Sequence, residues 1–341
     1  MGAGRKEIRA GPERGVNMSE TTQMRRKTLN LNRDARQNVI IIAALLFVML
    51  FFGIKSPYFL KPANLAALLV AAVPLALIGL GESLCLLLGT FDMSVGMVAS
   101  LSGIIWTTFI SQLGVPTYLA LAIALVFGLL SGLIGGLAVA YLNMPAWMAT
   151  YALMQIWKGI IYIVTGGDAV RMTKFKAFKY LGQYKLFGSP ITWAVIIMVV
   201  IYVVMYFILR HTALGRSLFV VGGNVEAAKN VGIRIRGCQI FAFMMSGLLA
   251  ALGGALFASR SGSGQPVIGE LYAMQGIAGA VIGGTAMIGG KTNVLMTFAG
   301  VMFVVCMQNG LNMIAVPAFY QHITTGLVLV LAILVQTERP K

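Results

Sequence analysis

Beyond residue 37 the chain is built of continuous apolar runs separated by short polar interruptions. Ten runs stand out, at about 38–54, 63–88, 94–112, 117–142, 145–165, 191–210, 237–258, 271–288, 293–314 and 318–336. Each is about 17–26 residues, and at about 1.5 Å per residue a helix of that length crosses about 30 Å of hydrocarbon. The runs are apolar throughout instead of alternating, which favours helices over a membrane barrel. The pattern predicts an all-α integral membrane protein with about ten transmembrane helices over 38–336.

Composition agrees. Apolar residues make up 58% of the 341 and charged residues 11%, against about 25% charged in an average soluble domain. The net charge of +16 could suggest nucleic acid, but nine of the 26 basic residues lie in the first 36 positions, and most of the others sit between apolar runs. Basic residues in such places orient a membrane protein and face anionic headgroups. Residues 1–37 have no apolar stretch of signal-peptide type and are expected to form a disordered basic cytoplasmic tail. With the N-terminus inside, an even number of spans places the loop at about 211–236 and the short C-terminus at 337–341 in the cytoplasm. The basic loop at 166–190 would then lie outside, against the usual bias.

Small residues recur within the runs. Gly128, Gly132, Gly135 and Gly136, and then Gly247, Gly253 and Gly254, suit close helix packing in lipid. Cys85, Cys238 and Cys306 lie in or beside apolar stretches and read as small core residues.

Three interruptions carry candidate chemistry. The first is 88–96, Leu-Gly-Thr-Phe-Asp-Met-Ser-Val-Gly, where Asp92 is flanked by apolar sequence. A carboxylate there lines a pathway or pairs with another group, or it caps the helix that follows; both readings stay open. The second is 283–291, Gly-Gly-Thr-Ala-Met-Ile-Gly-Gly-Lys. Gly290-Lys291-Thr292 matches the end of a phosphate-binding loop, but Thr285 stands where that loop needs glycine. A helix break is the better reading, and its Gly-Thr pair echoes the first interruption, a weak hint of an internal pseudo-repeat with broken helices. The third is 212–233. There Asn224 can cap a short helix over 226–231 that Gly232 ends, with Glu226 in its first turn. That helix could dock on another subunit, or the stretch could be an ordinary polar loop.

No enzymatic constellation and no set of ligands with metal spacing is present. Beyond the tail the acids are Glu82, Asp92, Asp168, Glu226, Glu270 and Glu338, and only Glu82 and Asp92 lie well inside apolar sequence. Ion-coupled carriers usually need buried carboxylates along the path. Their scarcity here points to an energy source outside the chain.

From about 38 to 336 the chain resembles the permease subunits of ribose-type monosaccharide ABC importers, which depend on a binding protein. Four motifs carry the resemblance, in the family's order. Asp92, Ser94 and Gly96 match Gly-Gly-Ile-Asp-Leu-Ser-Val-Gly. Residues 212–233 match Thr-x-x-Gly-Arg followed by Gly-x-Asn-x-x-Ala-Ala-x-x-x-Gly-Ile. Residues 283–290 match Gly-Gly-Thr-x-x-x-Gly-Gly, and 309–312 match Asn-Gly-Leu-Asn. Thr90-Phe91 departs from the usual Gly-Ile, and 143–150 departs from Pro-Phe-Ile-x-Thr-Leu.

The resemblance implies that Gly223, Asn224, Glu226, Ala227, Ala228 and Gly232 couple to ABC ATPase subunits, which hold the ATP. This chain would bind no cofactor or metal and hydrolyse nothing. It implies a pathway between two permease subunits, in a homo- or heterodimer, fed by a soluble periplasmic sugar-binding protein. The location would be the bacterial inner membrane. Asp92, Ser94, Trp147, Tyr151, Gly283, Gly284, Gly289, Gly290 and Asn309 are the expected pathway residues, with Trp157 a further aromatic candidate. The competing class is a secondary carrier driven by an ion gradient through Glu82 and Asp92.

Overall fold

The structure is a computed structural model that describes residues 18–172, 176–185 and 190–317, with isolated positions as far as 330; side chains are described from residue 35 on, Lys176 excepted. By internal contacts the chain divides into residues 1–40 and residues 41–341, and the second unit carries the helical packing. The helices in order are α1 (Met18–Lys55), α2 (Pro62–Leu87), α3 (Val95–Ser111), α4 (Thr117–Tyr141) and α5 (Ala146–Thr165). They continue with α6 (Lys176–Gln183), α7 (Trp193–His211), α8 (Ala213–Gly223), α9 (Val225–Asn230), α10 (Ile235–Ser261), α11 (Gly269–Ile282) and α12 (Val294–Met313). Helix α1 reaches back to Met18, into the stretch expected as a disordered tail, whose first 17 residues lie outside the described ones.

Among the described residues six helices are long and apolar enough to cross a membrane: Ala35–Lys55, α2, α4, α7, α10 and α12. Three further predicted runs appear as α3, α5 and α11, of 17, 20 and 14 residues. The run expected over 271–288 is not one helix. It stops at Ile282, and 283–293 forms turns. Much of the tenth run, at 318–336, lies outside the described residues, and those described between Phe319 and Val330 are helical.

Helix α10 is the centre of the bundle and packs on α4, α2 and α3. Glycine makes this possible. A Cβ on Gly128 would stand 2.6 Å from Gly247 O, one on Gly132 would strike Phe243 O, and one on Gly136 would stand 3.0 Å from Ile240 Cα. These three glycines recur every four residues on one face of α4, so its backbone lies directly on α10, the small-residue packing anticipated for lipid. Gly253 and Gly254 do the same for α10 against Pro74 and Ala99.

At 27 residues, α10 is about 40 Å long and serves as a ruler. Gly81 is level with Ser246 and Pro74 with Gly253, so α2 runs antiparallel to it. Ala99 is level with Gly254 and Gly103 with Ala258, so α3 runs parallel to it. Gly254 lies seven residues, about 10 Å, short of the end of α10, and Gly96 about one turn deeper. The first residue of α11, Gly269, rests on Gly96, since a Cβ on either would strike the other's carbonyl oxygen. Gly269 N also donates to Ser100 Oγ at 3.0 Å. Two helices therefore begin head to head roughly 15 Å inside the bundle, which is why α3 and α11 are short.

The described parts of the basic segment at 166–190 fold onto the Ser261 end of α10. Val170–Arg171 (β1) pairs antiparallel with Ser263–Gly264 (β2), the one pair of strands among the described residues. Ser259 Oγ donates to Phe178 O at 2.6 Å and accepts from Gly182 N at 2.9 Å, while Phe178 packs on Trp106 at 4.5 Å.

Candidate functional site

The nine expected pathway residues do not form one cluster; the structure sorts them into four places. Asp92 and Ser94 lie in a buried knot with Glu82. Asp92 Oδ1 accepts from Ser94 N at 2.9 Å and from Ser94 Oγ at 2.6 Å. The side chain thus organises the turn just ahead of α3, whose N-cap is Ser94, and is not itself the helix cap. Asp92 N donates to Glu82 Oε2 at 3.2 Å, and Met93 N donates to Thr150 Oγ1 at 3.1 Å. Glu82 Oε1 finds no hydrogen-bond partner among the described residues. The chain from Gly89 to Ser94 therefore climbs back into the bundle, with the amides of Asp92, Met93 and Ser94 each held by a polar side chain.

The glycine stretches form the second place. Helices α2 and α11 end in the same way. Gly89 N donates to Leu86 O and Thr90 N to Cys85 O; Gly284 N donates to Val281 O and Thr285 N to Ala280 O, at 2.8–3.0 Å. Gly89 and Gly284 have φ of 72° and 84°. This paired closure with a left-handed glycine is the Schellman motif, and it explains the Gly-Thr echo. The two turns also touch: Gly290 N donates to Leu87 O at 2.8 Å. Gly222, at the end of α8, fills the remaining side, because a Cβ there would strike Leu87 O and stand 2.9 Å from Gly290 N. A Cβ on Gly289 would stand 2.7 Å from Gly222 O and 2.9 Å from Gly89 N. Three segments far apart in sequence meet at this point, backbone on backbone.

From that junction the 212–233 segment projects. Thr212 caps α8 through Gly215 N (3.1 Å), and Asn224 caps α9 through Ala227 N (2.9 Å). Gly232, with φ of 74°, follows α9. The short helix expected from Asn224, Glu226 and Gly232 is present. Helix α8, which precedes it, was not anticipated, because its Gly-Gly ending reads as loop. Ala228 is buried, while Gly223, Asn224, Glu226 and Ala227 are exposed.

The third place is Asn309, which accepts from Asn64 Nδ2 at 3.1 Å near the start of α2, remote from the knot. The fourth is α5. Trp147 and Tyr151 are exposed there, and Gln155, Lys158 and Tyr162 continue their stripe at helical spacing. Lys158 Nζ donates to Glu270 Oε1 of α11 at 2.6 Å, with both side chains about two-fifths exposed. Reading along the chain alone missed this pair, since Lys158 lies inside an apolar run and Glu270 at the edge of one. Trp157 points inward, donating to Ser131 Oγ at 2.8 Å and packing on Phe127. It also lines a cavity of about 280 Å³ between α3, α4 and α5, apolar apart from Thr108, which offers a hydroxylated solute little to hold.

A family described as "Branched-chain amino acid transport system / permease component" matches residues 64–333. The chain belongs to this permease family. The permease is 31% identical over 296 residues to the ribose import permease protein RbsC of Bacillus subtilis, a match covering 86% of this chain and 91% of that one. To the L-arabinose ABC transporter permease protein AraH of Azospirillum brasilense it is 29% identical over 304 residues, 89% of this chain and 88% of the relative. To the autoinducer 2 import system permease protein LsrC of Escherichia coli it is 33% identical over 303 residues, 88% and 87%. The resemblance drawn from the four motifs is thereby confirmed for the permease as a whole, and the helices make it a multi-pass membrane protein.

Proposed function

We propose that this permease is the membrane subunit of an ATP-driven importer of a monosaccharide or a related small polar solute. The observation that carries the reading is the junction at Gly89, Gly222 and Gly290, where the projecting α8–α9 segment meets both re-entrant turns by backbone contact. A force applied to α9 is delivered to the turn that holds Asp92 without passing through flexible side chains. Such a device suits an energy source on another subunit. The relatives named as ribose and L-arabinose permeases supply the substrate class.

In this reading ABC ATPase subunits, which bind the ATP, engage Gly223, Asn224, Glu226, Ala227 and Gly232, with buried Ala228 anchoring α9 from beneath. A soluble sugar-binding protein delivers the solute, and two permease subunits enclose the path. The chain crosses the bacterial inner membrane about ten times, with both termini in the cytoplasm. The knot around Asp92 and Ser94 and the turns at Gly283–Gly284 and Gly289–Gly290 are the moving parts beside the path, and Trp147 and Tyr151 belong to its wall. The shared Schellman endings of α2 and α11 support an internal pseudo-repeat.

Reconstitution tests the reading. In liposomes holding the permease, its ATPase subunit and its binding protein, D-ribose or L-arabinose accumulates only with ATP, and Glu226→Lys abolishes accumulation while leaving membrane insertion intact. Uptake by the lone chain under a proton or sodium gradient, without ATP, overturns it in favour of a secondary carrier.

A further inference from the structure

The stripe on α5 has chemistry that the four motifs do not account for. Trp147, Tyr151, Gln155, Lys158 and Tyr162 fall on one face of the helix, spaced four, four, three and four residues apart. Farther round the exposed surface of α5 the side chains are apolar, as at Ile156 and Ile163. Thr150 is tied to Met93, just ahead of α3, while Ile161 packs against Met97, Leu101 and Ile104. Helix α5 thus runs parallel to α3, and Lys158 stands level with Ser100, about one turn beyond the Gly96–Gly269 contact at which α11 begins. By the α10 ruler this is roughly 10 Å inside the bundle.

An ammonium and a carboxylate exposed along apolar helices of a membrane protein do not face hydrocarbon, where an ionised group carries a large cost; such groups face a cavity, a partner or the interface. The ion pair spends one of the three Nζ hydrogens of Lys158 and one carboxylate oxygen of Glu270. The remaining donors and the remaining oxygen are adjacent, a geometry that suits neighbouring hydroxyl groups. The flanking tyrosines offer ring faces for C–H surface, and Gln155 adds both a donor and an acceptor. One positive and one negative charge cancel, so the stripe selects no net charge on its ligand.

We propose that Lys158 and Glu270, flanked by Tyr151, Gln155 and Tyr162, form a contact subsite for a neutral polyhydroxylated solute on the wall of the translocation path. The proposal rests on the importer reading and adds specificity residues to it.

Cysteine labelling tests it in the full complex with ATPase and binding protein. Gln155→Cys and Tyr162→Cys leave the ion pair intact, and Ile156→Cys provides a depth-matched control on the apolar face. A thiol reacts as its thiolate, which forms in water and not in hydrocarbon. A membrane-impermeant methanethiosulfonate is expected to label positions 155 and 162 at least about tenfold faster than 156. D-Ribose presented with binding protein and ATP should slow that labelling. Equal rates at all three positions, or labelling that the sugar never slows, overturns the subsite. A second measurement uses Lys158→Met, which should change the ratio of D-ribose to L-arabinose uptake; an unchanged ratio with lowered uptake reduces the pair to a structural tie and refutes the proposal. Failure of the importer reading is distinguishable, because then the unsubstituted complex transports neither sugar with ATP whatever the labelling pattern.

Discussion

Gly222→Ala isolates the junction between α8 and the two turns. The added Cβ would overlap Leu87 O and stand 2.9 Å from Gly290 N, the two atoms that share the 2.8 Å hydrogen bond between the turns. Both belong to backbone, so neither can swing aside as a side chain would. Relief requires the end of α8 to move away from both turns at once. Overpacking of this kind costs about 1–3 kcal/mol. Replacing a helical glycine by alanine returns about 0.5–1 kcal/mol, so the raw effect of the substitution understates the clash. Gly237→Ala corrects for this, since it lies within α10 and its Cβ would meet only Arg234 Cβ at 3.7 Å. The difference between the two variants is the cost of the clash. Expressed as lost coupling, 1–3 kcal/mol corresponds to about 5- to 150-fold. The assay is sugar accumulated per ATP hydrolysed in reconstituted complexes. Gly222→Ala is expected to keep hydrolysing ATP while accumulation per ATP falls by at least about fivefold relative to Gly237→Ala. Equal accumulation per ATP in the two variants would refute the argument that backbone contact at Gly222 carries the coupling.

Asp92 decides between two roles. Asparagine keeps an oxygen able to accept both bonds from Ser94, so Asp92→Asn should preserve uptake, whereas Asp92→Ala should lose about 1–3 kcal/mol of stability in denaturant titration; loss of uptake by a well-folded Asp92→Asn would show that the negative charge itself is needed. Gly132→Val drives a side chain into Phe243 O, and the α4–α10 contact should weaken by about 1–3 kcal/mol in the same titration; unchanged stability would mean that α4 is not seated as tightly as its glycines indicate. Gly284→Ala forces a Cβ into the left-handed region at φ of 84°, with an expected cost of about 1–2 kcal/mol, read as a lower unfolding midpoint in detergent.

The sequence by itself determined the class of protein, the position of most helices and the family. Those follow from apolar runs of membrane length, from short motifs in order, and from capping residues such as Asn224 that act on their own neighbours. Helix α9 was legible for that reason, because its cap and its terminating glycine are local. Tertiary structure decided what the interruptions do. Nothing along the chain says that Leu87, Gly222 and Gly290 meet, because each accepts the others only through the absence of a side chain, and an absence has no partner written beside it. The apolar run at 271–288 read as one span because hydropathy does not register where a helix ends, and the closure at Gly284 stops α11 within the run. The start of α11 is set by Gly269 resting on Gly96, a contact between residues 173 positions apart. The Lys158–Glu270 pair was hidden for the same reason: Lys158 is an isolated charge inside one apolar run and Glu270 another at the edge of a second, and only the packing of α5 and of α11 on α3 brings the two together.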